Sequence, residues 1–204
     1  MVVEMVLEQV ENLAKKLHEG QMRKFTGIPY YTHPKKVSIL LEQYFGKKMN
    51  PRERIVYISA ALLHDTVEDC GITLEDLKNY LRDFENTAGY DTLSEELIDR
   101  IVAVVDKLTT STKCAKRNKT QYLIRTMNNL YTEDFLCFAV KMCDRIDNAV
   151  DLVYAEESFA KSYAKETATI FYNLDHCPKE LGSEYDMVIA RCRTFFKGGV
   201  KWYD

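Results

Sequence analysis

Four side chains that can bind a metal or transfer a proton stand together at the end of an apolar stretch. Residues 54–69 read RIVYISAALLHDTVED, and the polar end holds His64, Asp65, Glu68 and Asp69. On a helix, positions 64 and 68 share one face and positions 65 and 69 share the adjacent face. Carboxylates that close repel each other unless a cation or a water-filled cleft stabilises them. The pattern indicates a metal site, and the alternative is a hydrogen-bonded core histidine beside solvent-facing acids.

A second helical stretch, residues 135–153, is apolar on most sides but carries a polar stripe. The stripe consists of Lys141, Asp144, Asn148 and Asp151, at intervals of three, four and three residues. Polar residues at helical spacing on an otherwise apolar helix predict a face that lines a cavity.

One carboxylate of this stripe, Asp144, would complete a metal site begun by His64 and Asp65. His33, which precedes Pro34 where a loop meets a helix, offers a second imidazole. Two neutral imidazoles and two carboxylates suit Mn²⁺, Fe²⁺ or Zn²⁺, and they leave positions for water and a phosphate oxygen.

Helices must position these groups, because apolar residues recur mostly at three- and four-residue intervals and the chain has only 8 Gly and 4 Pro. No repeat or linker divides the chain, so we predict a single all-α domain over residues 1–204, with its motifs in about residues 20–155. Gly20 is predicted to end the first helix, and Thr73, Ser94 and Thr132 are predicted to begin later ones. The predicted helices span about residues 4–18, 34–45, 51–69, 74–86, 95–107, 132–154, 157–174 and 178–196.

Composition excludes several classes of protein. The chain has 28 Lys+Arg against 31 Asp+Glu, a formal charge of −3, and so lacks the basic excess that nucleic-acid binding needs. The first residues carry acids rather than a basic region, and the near-apolar run at 55–63 is too short to cross a bilayer. Six cysteines without CxxC spacing favour reduced thiols and a cytoplasmic location. The oligomeric state stays open, a homo-oligomer included.

Three motifs, in this order, resemble the hydrolase domain of the RelA/SpoT homologues, which belongs to the HD metal-phosphohydrolase superfamily. They read RKFTGIPYYTHP at 23–34, AALLHDTVED at 60–69 and KMCDRIDN at 141–148. The resemblance runs through most of residues 5–180 and implies an all-helical, HD-type bundle. It also implies Mn²⁺-dependent removal of the 3′-pyrophosphate from the guanosine nucleotides ppGpp and pppGpp. Because the chain has no room for the family's synthetase and regulatory domains, we expect a small, hydrolase-only member.

The resemblance implies a role for each matched residue. The implied metal ligands are His33, His64, Asp65 and Asp144, and the implied catalytic acidic pair is Glu68 and Asp69. The implied substrate contacts are Arg23 and Lys24 to the nucleotide or its phosphates, Lys107 in a segment that corresponds to the family's TKL, and Asn148 to the ribose or base.

Departures from the family pattern lie in residues 144–152. The long members usually read DRLHNMRTL where this chain reads DRIDNAVDL, so Asp147, Val150 and Asp151 replace His, Arg and Thr. Some small members do carry Asp at the last position, and Asp151 stays among the expected substrate-binding residues. Losing the Arg removes a phosphate or nucleotide contact. The alternatives are therefore an HD phosphatase or phosphodiesterase acting on another phosphorylated nucleotide, and a non-catalytic nucleotide-binding module.

A basic stretch, on a predicted Thr/Ser-rich loop and the helix after it, provides a further candidate for substrate binding. Residues 107–125 contain no acid and six basic residues: Lys107, Lys113, Lys116, Arg117, Lys119 and Arg125. A highly anionic substrate needs positive charge near its phosphates. We predict that Lys107 or Arg117 faces the cleft opposite Arg23 and Lys24, and the alternative is a solvated loop with its charges in water.

Overall fold

The computed structural model of the protein describes residues 2–84, 93–109 and 115–195, and their side chains apart from those of 115–117. Ten α-helices occur in these ranges, and the one β feature among them is an isolated antiparallel bridge between Met22 and Pro29. The predicted all-α class is confirmed. The helices are α1 Val2–Leu17, α2 Thr32–Phe45, α3 Pro51–Leu63, α4 Thr66–Asp69, α5 Leu74–Arg82, α6 Glu95–Leu108, α7 Ala115–Glu133, α8 Phe135–Val150, α9 Glu157–Tyr172 and α10 Gly182–Thr194.

Short 3₁₀ turns extend the ends of several helices, at Gly46–Lys48, Asp151–Tyr154 and Lys179–Leu181. The helices form two compact units. The first unit contains α1–α6, and the second contains α7–α10 together with residues 24–27. The interpretation of the chain as a single domain stays a prediction. No helix in the described ranges is long and apolar enough to cross a membrane.

The first unit is built around α3. This helix is apolar on nearly every side, as expected of a helix that its neighbours surround. Helices α1, α2 and α6 pack against it, and α5 packs on α6. The buried side chains of α3 are Ile55, Val56, Ile58, Ser59, Ala60, Ala61, Leu62 and Leu63. The end of α3 therefore delivers His64 into the interior of this unit.

The second unit is arranged around α8. Helices α7, α9 and α10 all contact it. Its buried apolar side chains are Cys137, Phe138, Ala139, Val140, Met142, Cys143, Ile146 and Ala149. The polar residues of α8 must therefore occupy the rest of its surface or be paired inside the unit.

Local signals define most helix ends as the sequence predicts. Gly20, just after α1, has φ +76°, a left-handed conformation that suits glycine. Thr73 and Asp76 form a reciprocal capping box at the start of α5. The Ser94 side chain accepts a hydrogen bond from the Leu97 backbone at the start of α6. Helix α5 ends at Arg82, earlier than the predicted fading near Asn86, and Asn86 itself lies outside the described residues.

Two other predicted boundaries are wrong. The helix from Pro51 does not continue to Asp69: α3 ends at Leu63, and α4 begins at Thr66. The Thr66 hydroxyl donates to the Leu63 carbonyl (2.7 Å), and this side-chain bond competes with the backbone ladder at the break. Thr132 does not cap α8, because it lies within α7 and donates to the Asn129 carbonyl. Asp134 caps α8 instead, by accepting from the Cys137 backbone N–H (3.2 Å).

The start of α3 allows a direct test of local stabilisation. The Asn50 side chain accepts from the backbone N–H groups of Arg52 and Glu53, and Glu53 returns a bond to the Asn50 N–H. We expect Asn50→Ala to lower the free energy of unfolding by about 1 kcal/mol, because two N–H groups lose their acceptor. Asn50→Asp, which keeps an acceptor, should lose far less. Urea denaturation checks both variants, and equal losses would contradict the capping role.

Candidate metal centre and active site

Two imidazoles and one carboxylate converge in the first unit. His33 lies in the first turn of α2, and His64 and Asp65 lie at the break between α3 and α4. Asp65 Oδ2 is 3.4 Å from His33 Nε2 and 3.1 Å from His64 Nε2. One ring nitrogen of His33 lies within 4.8 Å of one ring nitrogen of His64. The side chains of His33 and His64 are only 1% and 5% exposed, so a charge placed among these groups is shielded from water.

A backbone contact sets the proton position on His64. Its Nδ1 lies 2.9 Å from the Ala61 carbonyl oxygen, which can only accept a hydrogen bond. Nδ1 therefore carries the hydrogen, and in the neutral ring Nε2 keeps the lone pair that faces Asp65. This tautomer is the one that a metal-binding histidine needs at Nε2. A proton or a cation must lie between that lone pair and the carboxylate oxygen, because two lone pairs at this distance repel.

The Asp65 carboxyl group is held in its ionised form. Burial acts to raise its pKa, but the imidazoles of His64 and His33 together hold the pKa well below its usual range. A carboxylate oxygen beside two imidazole nitrogens is a mixed oxygen and nitrogen donor set that suits a divalent cation. The residues present in this unit therefore fit a metal.

Tyr30 joins this cluster to the predicted acidic pair. Its hydroxyl lies 2.8 Å from Asp65 Oδ2 and 2.9 Å from Asp69 Oδ2. Burial raises the pKa of Tyr30, and the two carboxylates raise it further, so the phenol keeps its proton. Glu68 and Asp69 lie on α4 and are exposed, where solvent and a ligand can reach them. Sequence reasoning gave Tyr30 no role, although it is part of the motif at 23–34.

The second unit carries the remaining sequence-predicted polar residues. On α8, Asn148 Nδ2 donates to Asp144 Oδ1 (2.6 Å), and both side chains are half-buried. Asp151 is buried and lies in the 3₁₀ turn that follows α8. The last residue of the polar stripe therefore lies just beyond the α-helix. Asp147, which replaces the family's His, is buried as well.

Arg145 anchors α8 through a buried ion pair with the neighbouring helix α9. It is 8% exposed, and its guanidinium donates to Glu166 Oε1 on α9 (2.8 Å). The guanidinium also lies over the ring of Tyr163, 4.7 Å from the centroid. Burial raises the pKa of Tyr163 to about 12, so this ring stays neutral. The sequence singled out no partner for Arg145, because Glu166 follows 21 residues later.

The predicted phosphate-binding residues have different surroundings. Arg23 is only 7% exposed, which is unlike an ordinary surface charge. Lys24 is exposed, with Nζ over the ring of Phe159 at 4.8 Å. Lys107 is exposed near the end of α6. The side chain of Arg117 lies outside the described residues, as do those of Lys113 and Lys116, so the predicted role of the basic stretch stays a prediction.

Sequences of known proteins match most of the chain. A family profile described as an HD domain matches residues 11–177. The GTP pyrophosphokinase of Streptomyces coelicolor is 31% identical over 171 residues, which are 83% of this chain and 17% of that protein. The guanosine-3′,5′-bis(diphosphate) 3′-pyrophosphohydrolases of Aquifex aeolicus and Vibrio cholerae are 31% and 32% identical, over 83% of this chain and 21% of theirs. The chain thus spans about a fifth of these relatives.

One solved structure shares the fold over nearly the whole chain. It is described as a metazoan orthologue of SpoT that hydrolyses ppGpp. It matches with a TM-score of 0.68 and 19% sequence identity, covering 91% of this chain and 94% of that chain. At this identity the match confirms the helical architecture.

The buried ion pair of the second unit leads to a prediction about stability. We expect Glu166→Ala to lower the free energy of unfolding by about 2–3 kcal/mol, because it leaves the Arg145 guanidinium buried without its carboxylate. The matched control is Glu157→Ala on the same helix, which breaks an exposed ion pair with Lys161 and should have little effect. Urea denaturation measures both, and equal stability of the two variants would contradict the anchoring role.

Proposed function

This chain belongs to the HD-domain family, and from that premise we propose that it removes the 3′-pyrophosphate of guanosine tetra- and pentaphosphate, leaving GDP or GTP. The curated relatives that are named for this hydrolysis match over 83% of the chain. The observation that carries the proposal is the convergence of His33 and His64 on Asp65, since these three residues lie in the first two shared motifs.

The HD-domain family implies a divalent cation, and we propose Mn²⁺ held by His33, His64, Asp65 and Asp144. The geometry of the first three supports the proposal, as described above. Two observations support Asp144 as the fourth ligand. It lies in the third shared motif, and the Asn148 amide donates to one of its carboxylate oxygens, which leaves the other oxygen for a cation. When bound, a divalent cation offsets the charge of the phosphoryl oxygens and lowers the pKa of coordinated water towards about 7.

Glu68 and Asp69 have the position and exposure of a proton acceptor pair. In the proposed reaction, their carboxylates take a proton from the attacking water or orient it in line with the phosphorus joined to the 3′ oxygen. The bond between that phosphorus and the 3′ oxygen breaks. The 3′ oxygen takes up a proton, and pyrophosphate leaves with the oxygen of the water.

Substrate charge and shape require further contacts. We propose that Arg23, Lys24, Lys107 and Arg117 meet the phosphates, because a highly anionic nucleotide needs several positive partners. Asn148 and Asp151 would contact the ribose or base. The substrate is a small guanine nucleotide in this proposal, acted on in the cytoplasm and without nucleic acid as a partner.

The departures at 147, 150 and 151 favour a second candidate, a phosphatase or phosphodiesterase that acts on another phosphorylated nucleotide. Asp147 and Asp151 are both buried, so two acidic groups lie where the family has His and Thr. An acid in place of a neutral or basic side chain changes which part of a nucleotide can bind there.

The products separate the two candidates. We expect purified protein with Mn²⁺ to convert ppGpp into GDP and pyrophosphate in equal amounts, because water attacks only the phosphorus next to the 3′ oxygen. Ion-exchange chromatography resolves the products, and EDTA or the Asp144→Ala variant should abolish the reaction. Release of orthophosphate from other nucleotides, with ppGpp intact, would favour the second candidate.

A variant of the acidic pair tests the assignment of the proton acceptor. We expect Glu68→Gln to bind Mn²⁺ as the wild type does but to turn over about 10²- to 10⁴-fold more slowly, because proton transfer is lost while the proposed ligands remain. Glu75→Gln, an exposed glutamate on α5, is the matched control and should keep full activity. Steady-state kinetics measure both, and unchanged turnover of Glu68→Gln would leave the role to Asp69.

A further inference from the structure

One phenol group lies between two carboxylates that have different roles in the proposed reaction. The Tyr30 hydroxyl has one hydrogen to donate, and its oxygen lies within hydrogen-bond distance of both Asp65 Oδ2 (2.8 Å) and Asp69 Oδ2 (2.9 Å). Asp65 is a proposed metal ligand, and Asp69 is a member of the proposed acidic pair. A shared donor reduces the repulsion between the two negative groups and fixes their separation.

A short hairpin holds Tyr30 at this position. The Tyr30 N–H donates to the Gln21 carbonyl (2.9 Å), and the Arg23 N–H donates to the Ile28 carbonyl (2.8 Å). Gly27, at φ +66°, allows the tight reversal between these two bonds. Backbone hydrogen bonds and a tight turn therefore fix the position of the Tyr30 backbone.

The ring of Tyr30 is packed on two sides by histidines. Its centroid lies 4.9 Å from that of His18, and 5.8 Å from that of His33, which stands edge-on. These contacts set the direction of the hydroxyl, since the ring has little room to rotate about its first bond.

The same hairpin also holds the backbone of Asp69. Gln21 Nε2 donates to the Asp69 carbonyl (2.9 Å), and the Gln21 carbonyl oxygen of the side chain lies 2.8 Å from His18 Nδ1. Tyr30 therefore fixes the Asp69 carboxylate while Gln21 fixes its main chain. Gln21 makes these contacts without touching Asp65, so the two residues constrain the site differently.

We propose that the hairpin of residues 21–30 is a clamp in which Tyr30 is a positioning residue that sets the Asp65 and Asp69 carboxylates relative to each other. The inference rests on the proposed function for its catalytic part. Hydrogen-bond partners behind metal ligands typically change metal affinity or activity by about 10- to 100-fold when they are removed. A misplaced acid also slows the reaction without weakening substrate binding.

The test uses Tyr30→Phe, which keeps the ring against His18 and His33 and removes only the hydroxyl. The matched control is Tyr31→Phe, the same change one residue along, where the ring lies under Lys15. Calorimetric titration with Mn²⁺ and steady-state kinetics at saturating Mn²⁺ are measured for both. For Tyr30→Phe we expect a Kd for Mn²⁺ raised about tenfold and kcat lowered about 10- to 100-fold, with KM within about threefold. Tyr31→Phe should match the wild type.

Two further variants separate positioning from a general structural effect. In an Asp69→Asn background, adding Tyr30→Phe should lower kcat by less than about threefold, because the acid through which Tyr30 acts is already altered. Gln21→Met should lower kcat but leave the Kd for Mn²⁺ within about twofold, because Gln21 touches Asp69 and not Asp65. If the Tyr30, Gln21 and Tyr31 variants all lose both Mn²⁺ affinity and kcat and all melt at a lower temperature, the clamp is wrong and the variants are simply destabilised.

The outcomes also separate this inference from the proposed function. If the wild type cleaves ppGpp and Tyr30→Phe equals Tyr31→Phe in both Mn²⁺ affinity and kcat, the clamp is wrong while the function stands. If the wild type cleaves none of the nucleotides but Tyr30→Phe still weakens Mn²⁺ binding tenfold, the function is wrong and the clamp on Asp65 is supported.

Discussion

A largely buried carboxylate, Asp65, governs the chemistry of the first unit. Burying a charged group is costly unless opposite charge or hydrogen-bond donors surround it. Here two imidazole nitrogens lie on one side and the Tyr30 hydroxyl on the other. The remaining features of this unit can be understood as the means of bringing those three groups to one oxygen atom.

Each of the three groups depends on a different part of the fold. The apolar helix α3 ends at Leu63, and the following break turns His64 and Asp65 away from the helical ladder. The first turn of α2 supplies His33, and the hairpin supplies Tyr30. In the second unit, a buried ion pair between Arg145 and Glu166 anchors α8, the helix that carries Asp144.

Much of the fold follows from local sequence signals. Gly20, Pro51 and Ser94 mark helix ends correctly because the responsible interactions span only a few residues. The break after Leu63 was not predicted, because the apolar pattern of α3 leads without a turn signal into the polar residues His64 to Asp69. The break is marked by side-chain bonds, in which His64 and Thr66 contact backbone carbonyls of the preceding turn. Candidate ligands were predictable from residue type and motif. The role of Tyr30 was not, since its partners lie 35 and 39 residues away along the chain and depend on the hairpin.

In the proposed metal centre, His33, His64 and Asp65 hold a divalent cation, with Asp144 as the fourth protein ligand. Anomalous scattering from Mn²⁺-soaked crystals, collected at the manganese absorption edge, locates the bound cation. We expect one strong peak about 2.0–2.3 Å from Nε2 of both histidines and from carboxylate oxygens of both aspartates. A manganese peak elsewhere in the molecule, with these four side chains pointing apart, would contradict it.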